Sequence, residues 1–324
     1  MINSQSIRLL PRPSSSPPRL PRYSRSDKPP RFVVTERDTL ILGDILRMRY
    51  LDREQVQRLH FSPGSASACK RRLTLLYHGR YVDRMLVQET TPGGSPRALY
   101  CLDRRGAQLL AALQGSSISR LDWRRQDNDK DTFFLAHTRD CNDAWIGFIE
   151  SCGQRVWSLS WTNERELRRT LTGQRLPDPA GRRPSLLVIP DGHFQVDDGV
   201  GRYSFALELD RGTVEEKRIR EKVRGYGEWL VSGAYRDRYG DDSLRVIFVV
   251  SGREPRGRVQ RLKRWCEEER GRSLFWFAEK EAFDRSDPLS DPIWMVAGSS
   301  GREPLLTGAQ APSGIASRRL PAVR

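Results

Sequence analysis

Asp191, Glu208, Asp210 and Lys222 are the residues of this chain whose types and spacing most readily suggest chemistry. Asp191 follows Pro190 at a break in an apolar run, and Glu208 and Asp210 stand two apart at the end of another. On a strand, residues i and i+2 point to one face, so Glu208 and Asp210 project together. If the two runs pair as a hairpin, Asp191 lies alongside both. Converging carboxylates with no His or Cys beside them form a hard-ligand cluster, suited to Mg²⁺ or Mn²⁺ rather than zinc. An ion so held can activate a water and neutralise charge that builds on a phosphate during hydrolysis. Lys222 lies on the flank of a helical stripe formed by Ile219, Val223, Tyr226 and Leu230, placed to orient that water or to counter the acids. Plainer readings exist for each residue. Pro-Asp is a common turn dipeptide, Glu-x-Asp arises by chance in a chain that is 30% charged, and a lysine can lie over its apolar neighbours. His137 and His193 read equally well as structural, solvated or catalytic groups.

A second constellation is basic. Lys70, Arg71 and Arg72 cluster on one helix with Ser65 and Ser67 near its start, while Arg84 and Arg97 fall on a following ribbon. These residue types contact phosphates and base edges.

The elements that must position these groups follow from periodicity. Thr35 can cap a helix whose apolar stripe is Ile41, Ile45 and Met48. Asp52 with Gln55 three residues on has capping-box spacing for a second helix. After Ser62-Pro63-Gly64, a third helix carries Cys69, Leu73 and Leu76 inward. Strands are expected at 81–88 and 98–102 around a Gly-rich loop at 91–95, then a helix at 106–113. Three helices and a two-stranded ribbon give the layout of a winged helix-turn-helix, whose third helix enters the major groove of DNA. A protein-contact role for the same layout is the alternative. Beyond 131 the pattern becomes mixed: a helix at 133–152, strands at 156–161, 185–196 (broken at 190–192) and 203–209, a helix at 213–231 with a Thr213/Glu216 capping box, a strand at 244–250, a helix at 256–270, and late strands at 274–278 and 293–296. The fold class expected is α/β (α+β). The expected division is a disordered basic arm at 1–31, the winged helix-turn-helix at 32–118, a linker at 119–131, an α/β domain at 132–298 and a disordered tail at 299–324.

Composition narrows the function. The 324 residues carry a formal charge of +15, which favours a polyanionic partner, double-stranded DNA above all. No apolar run approaches the ~20 residues of a membrane span, so no membrane role is expected. The opening residues carry Pro, Ser and Arg in place of an export signal's apolar stretch, which points to the cytoplasm. Cysteines at 69, 101, 141, 152 and 266 form no C-x-x-C pair and indicate neither a disulfide framework nor a structural zinc site.

The winged-helix opening at 35–113, Leu135-Ala136-His137, Pro190-Asp191, the run from Phe205-Ala206-Leu207-Glu208 through Leu209-Asp210-Arg211-Gly212-Thr213, and Lys222 with Tyr226 together resemble the replication-relaxation family of bacterial plasmids and integrative elements. The resemblance spans about residues 32–298. It implies a DNA-associated protein of mobile-element replication or transfer, with a restriction-endonuclease-like second domain built as helix, three strands, helix, strand. In that superfamily an Asp on the second strand and a Glu on the third hold the metal, and a Lys two residues beyond the Glu assists the water. Asp191 and Glu208 match the first two positions, but Asp210 stands where the Lys is expected. Either Lys222 substitutes from the helix or hydrolysis has been lost and binding kept. The implied ion, if the site is active, is Mg²⁺ or Mn²⁺. Three functions follow: a DNA-binding replication or transfer protein with a nuclease-like domain, an active Mg²⁺-dependent endonuclease or nickase, and a winged-helix transcriptional regulator. Partners implied are double-stranded DNA and other plasmid replication or transfer proteins, and a homodimer is allowed.

Overall fold

A computed structural model describes residues 20–22, 24–87, 96–128, 132–171, 188–241, 243–269 and 273–306. The expected loop at 91–95, the strand start at 185–187 and the chain ends at 1–19 and 307–324 lie outside the described residues.

The N-terminal unit forms where its caps and stripes demand. Helix α1 (Glu36–Met48) starts at Thr35, whose backbone N–H donates to the Asp38 carboxylate at 2.6 Å, and it buries Ile41, Leu42, Ile45 and Met48. Strand β1 (Leu51–Asp52) leads straight into α2 (Arg53–His60). There the Asp52/Gln55 capping box closes in both directions, at 2.8 and 3.0 Å. Helix α3 (Ala66–His78) turns Cys69, Leu73, Leu76 and Tyr77 inward. Strands β2 (Val82–Val87) and β3 (Arg97–Leu102) pair antiparallel from Val82↔Leu102 to Val87↔Arg97. The ribbon has a third strand, because β1 pairs with β3 on the other side (Leu51↔Tyr100). Helix α4 (Arg104–Leu113), capped by Asp103, closes the unit.

Part of the expected free arm is pinned. Arg25 donates to Asp83 (2.9 Å) and Val82 O (3.1 Å), pairs with Asp103 (2.7 Å), and lies over the Tyr77 ring. Two acids beside one buried surface need a cation, and Arg25 supplies it. The next residue's N–H donates to Nδ1 of buried His78 at 3.0 Å. Burial, aided by the charges of Arg84 and Arg25, holds the His78 pKa below its ordinary 6.5. The unfolded chain therefore takes up a proton that the folded chain refuses, and stability falls as pH drops below 6.5. Urea unfolding at pH 7 and 5 should show lower stability at the lower pH, with a component of the loss carried by this group. A His78→Gln variant should lack that component.

The expected linker also packs. Short 3₁₀ turns at Ile118–Arg120 and Arg125–Asn128 flank buried Leu121, and Trp123 Nε1 donates to Leu102 O at 3.0 Å. Helix α5 (Thr132–Arg155) then sits between the two halves. Towards the first half, the Asn142 amide donates to Met48 O (3.3 Å) and Tyr50 O (2.6 Å), and Gln55 donates to Asp143 (2.8 Å). Towards the second, Trp145 packs against Trp161 (ring centroids 4.4 Å apart) and Phe148 against Phe194 (4.5 Å), both pairs tilted. One apolar core runs from Ile41 through Trp145 to Trp294, so the halves are fused rather than tethered.

The second half is a seven-stranded sheet in the order β10-β9-β8-β7-β6-β5-β4. Strands β4 (Ser158–Asn163), β5 (Gly192–Asp197) and β6 (Arg202–Asp210) form an antiparallel meander. Helix α6 (Glu164–Leu171) follows β4. Helices α7 (Glu216–Val231) and α8 (Ala234–Tyr239) cross over to β7 (Leu244–Val250), which runs parallel to β6. Helix α9 (Pro255–Glu268) crosses to β8 (Phe275–Glu279), again parallel. After α10 (Lys280–Arg285), β9 (Trp294–Val296) and β10 (Arg302–Glu303) finish the edge antiparallel. Strand β7 is buried along nearly its whole length, as its unbroken apolar run requires of a central parallel strand. The fold is mixed α/β, as the sequence pattern predicts.

Three expectations change here. Of the strand expected at 185–196, the described residues from 188 on are regular only from Gly192. Helix α7 begins at Glu216 with Glu215 as its cap, and no Thr213/Glu216 box forms. Residues 299–306 are not tail: β10 pairs with β9, and Leu305 and Leu306 are buried, with Leu306 N–H donating to Leu289 O at 2.8 Å.

Candidate functional site

The basic helix separates cleanly into residues that face out and residues the fold consumes. Cys69, Leu73, Leu76 and Tyr77 turn inward on α3, and Ser67, Lys70, Arg71 and Thr74 (i, i+3, i+4, i+7) share a second face, which ends at buried His78. Ser67, Lys70 and Arg71 are exposed, and Ser65 is half-buried at the N-cap without a side-chain capping bond. Arg72 points elsewhere. It forks onto both oxygens of fully buried Asp38, donates to Val33 O at 2.7 Å and covers the Phe32 ring. Burial pushes the Asp38 pKa up, but the bonds from Arg72 and Thr35 outweigh it and hold the carboxyl below its ordinary value. Arg84 lies 4.2 Å over the Tyr77 ring and donates to Arg22 O. Arg97 pairs with Asp52 (2.9 Å) and Glu54 (3.0 Å). Of the seven residues expected on DNA, Arg72, Arg84 and Arg97 therefore hold the N-terminal unit together, and Ser65, Ser67, Lys70 and Arg71 remain on its surface.

The acidic residues divide too. The β5–β6 hairpin brings Asp191 against Glu208: Asp191 N–H donates to Leu207 O (3.0 Å) and its Oδ2 accepts from Leu209 N–H (2.7 Å), straddling Glu208. Glu208 is buried, with Oε2 accepting from Lys222 Nζ and Oε1 from the Tyr226 hydroxyl at 2.6 Å. Lys222 does lean from α7 to the strand, as its position on the helix flank predicts. Asp210 shares the Glu208 face but is taken by α9. Arg258 donates to both its oxygens, at 3.0 and 2.8 Å, and Gly212 N–H adds a third bond at 2.7 Å.

The electrostatics match this division. Burial raises the Glu208 pKa, Lys222 offsets it only in part, and the Asp191 charge adds to the rise. For Lys222, burial works to release the proton, but the Glu208 and Asp191 charges win and its pKa goes up. Burial would raise Asp191, yet the His137 bond, the Lys222 charge and the Leu209 N–H hold it below its ordinary value.

The expectation that no His or Cys stands near the acids is overturned. His137 Nε2 lies 3.3 Å from Asp191 Oδ1, and Cys141 Sγ lies 3.6 Å from the same nitrogen. Their i, i+4 spacing on α5 was readable in the sequence, but the approach to Asp191, 50 and more residues on, was not. His193 is a core residue: it is buried, its Nε2 is 2.9 Å from the Tyr235 hydroxyl, and its ring stacks on Tyr239. A cleft lined by Arg47, Phe134, His137, Trp161, Glu164 and Asp191 opens between α1, α5 and the β4–α6 corner. No helix among the described residues is long and apolar enough to cross a membrane.

A protein-family model described as replication-relaxation matches residues 42–242, more than half of the chain, from α1 past the acidic site and α7. No curated protein matches the chain, and no solved structure does.

Proposed function

Because the chain belongs to the replication-relaxation family, we propose that it is a DNA-binding protein of plasmid or other mobile-element replication, whose nuclease-like domain binds or scaffolds without cutting. The observation that carries the reading is the outward row Ser67, Lys70, Arg71 and Thr74 on α3. The helix that a winged helix-turn-helix lays in the major groove keeps its cations free there, while the neighbouring arginines are spent on the fold.

The order α5, β4, β5, β6, α7, β7, with three antiparallel strands and a parallel fourth, supports a restriction-endonuclease-like second domain. The ion that this resemblance implies, Mg²⁺ or Mn²⁺, needs carboxylate oxygens free to turn toward it. The donor set does not fit. Both Glu208 oxygens receive protein donors and both Asp210 oxygens receive Arg258, which leaves a single Asp191 oxygen, facing His137, where a hard cation needs several carboxylate oxygens. Lys222 and Arg258 already supply the positive charge that an ion would bring. No hydrolytic step is assigned through these residues.

Hydrolysis is the second reading, and one observation favours it: Lys222 stands beside Glu208, where a relocated nuclease lysine would stand. Supercoiled DNA of the element, incubated with the full chain in Mg²⁺ or Mn²⁺, separates the two. A retarded complex that stays covalently closed is expected. Nicking or linearisation that disappears in Glu208→Gln would overturn the non-cutting reading and establish the second.

A further inference from the structure

We propose that His137, Cys141 and Asp191 form a three-ligand site for a thiophilic divalent transition ion, of which Zn²⁺ is the natural example. The site is separate from the carboxylates considered above for Mg²⁺, sharing only Asp191, and it does not depend on whether the chain binds or cuts DNA.

Two of the three donor–donor edges have the lengths of a tetrahedral zinc centre. One ligand atom from each residue lies within 4.8 Å of the other two. Zinc bonds of ~2.0–2.3 Å at tetrahedral angles put neighbouring N and O donors ~3.3 Å apart and N and S donors ~3.6 Å apart. The two edges that meet at His137 Nε2 are 3.3 Å to Asp191 Oδ1 and 3.6 Å to Cys141 Sγ.

Hydrogen bonding alone leaves this arrangement short. Nε2 has one proton or one lone pair, so it can donate to Asp191 or accept from Cys141, but not both. An ion at the centre serves all three donors at once. The supports are also those of a metal site. His137 and Cys141 lie one helical turn apart on the rigid α5, and Asp191 is oriented by the Leu209 N–H on its far oxygen at 2.7 Å. Glu164 lines the same cleft as the three ligands, and its charge acts on His137. The thiolate decides the class of ion: sulfur with imidazole and one carboxylate selects zinc-like ions over Mg²⁺ or Ca²⁺. The ion would lock α5 to the β5 strand beside Asn142, whose amide already binds α5 to the first half.

The test is a Co²⁺ titration of the tag-free, chelator-stripped full chain. One equivalent should bind, giving the visible bands of tetrahedral cobalt and a sulfur-to-cobalt charge-transfer band in the near ultraviolet. Cys141→Ser should lose the charge-transfer band while its metal-free melting temperature stays at the wild-type value. His137→Ala should weaken binding by about 10-fold or more. Glu208→Gln should keep the whole spectrum. A wild-type complex without the charge-transfer band, a band that survives in Cys141→Ser, or a spectrum lost in Glu208→Gln would each overturn the proposal. The wild-type result alone can do so, so the test stands even if a variant fails to fold.

Discussion

Replacing Arg258 with Met is expected to cost about 3–5 kcal/mol of folding stability at neutral pH, the penalty for leaving a buried charge without its partner. Asp210 is 2% exposed and Arg258 6%, so neither has water to fall back on. Arg258 forks onto both carboxylate oxygens and also donates to Val214 O at 2.6 Å, so it fixes the turn between β6 and α7 as well. The guanidinium also lies over the Trp265 ring at 5.1 Å, and methionine, of similar length and apolar, gives up that contact with the charge while keeping much of the volume. Urea unfolding should show a lower midpoint with an unchanged slope. Adding Asp210→Asn to Arg258→Met should recover most of the loss, since the stranded charge is then gone. A single-variant cost below about 1 kcal/mol is what a solvent-screened pair would give, and it would free Asp210 for another role.

That pair also explains where local sequence reading stops. The stripes of α1 and α3, the Asp52/Gln55 box, the apolar run of β7 and the β6 strand are local signals, and each forms where periodicity and capping place it. Thr213 and Glu216 have good capping spacing, but the Val214 carbonyl is drawn to Arg258, 44 residues away, and the helix starts after it. Arg72 has the position of a groove-reading residue and is instead held by Asp38, 34 residues earlier. The three acids share a neighbourhood in sequence terms but are divided by donors from α5, α7 and α9, elements that periodicity locates without saying what they reach. Short pieces such as β1, α8, α10 and β10 carry too few residues for a pattern and exist because neighbours complete them. Within the site, the hairpin that joins Asp191 to Glu208 and the approach of Lys222 were legible. The closure of both acids by protein donors was not.

If the outward face of α3 meets DNA, the Lys70→Ala/Arg71→Ala double variant removes the two exposed cations that make the contact. Both side chains are exposed and lie outside the buried stripe, so their loss should leave the fold and the melting temperature unchanged. Each cation that neutralises a phosphate releases counterions, so two lost contacts should flatten the log–log salt slope of duplex affinity by about 1.8. The wild-type advantage should then shrink about 12-fold between roughly 50 and 200 mM salt. Arg72→Ala should behave differently, lowering stability by stranding Asp38. The decisive measurement is the salt dependence of duplex binding by the full chain and the double variant, followed by fluorescence anisotropy. A slope flatter by about two contacts in a folded variant is the predicted result. Equal slopes would contradict α3 as the DNA contact.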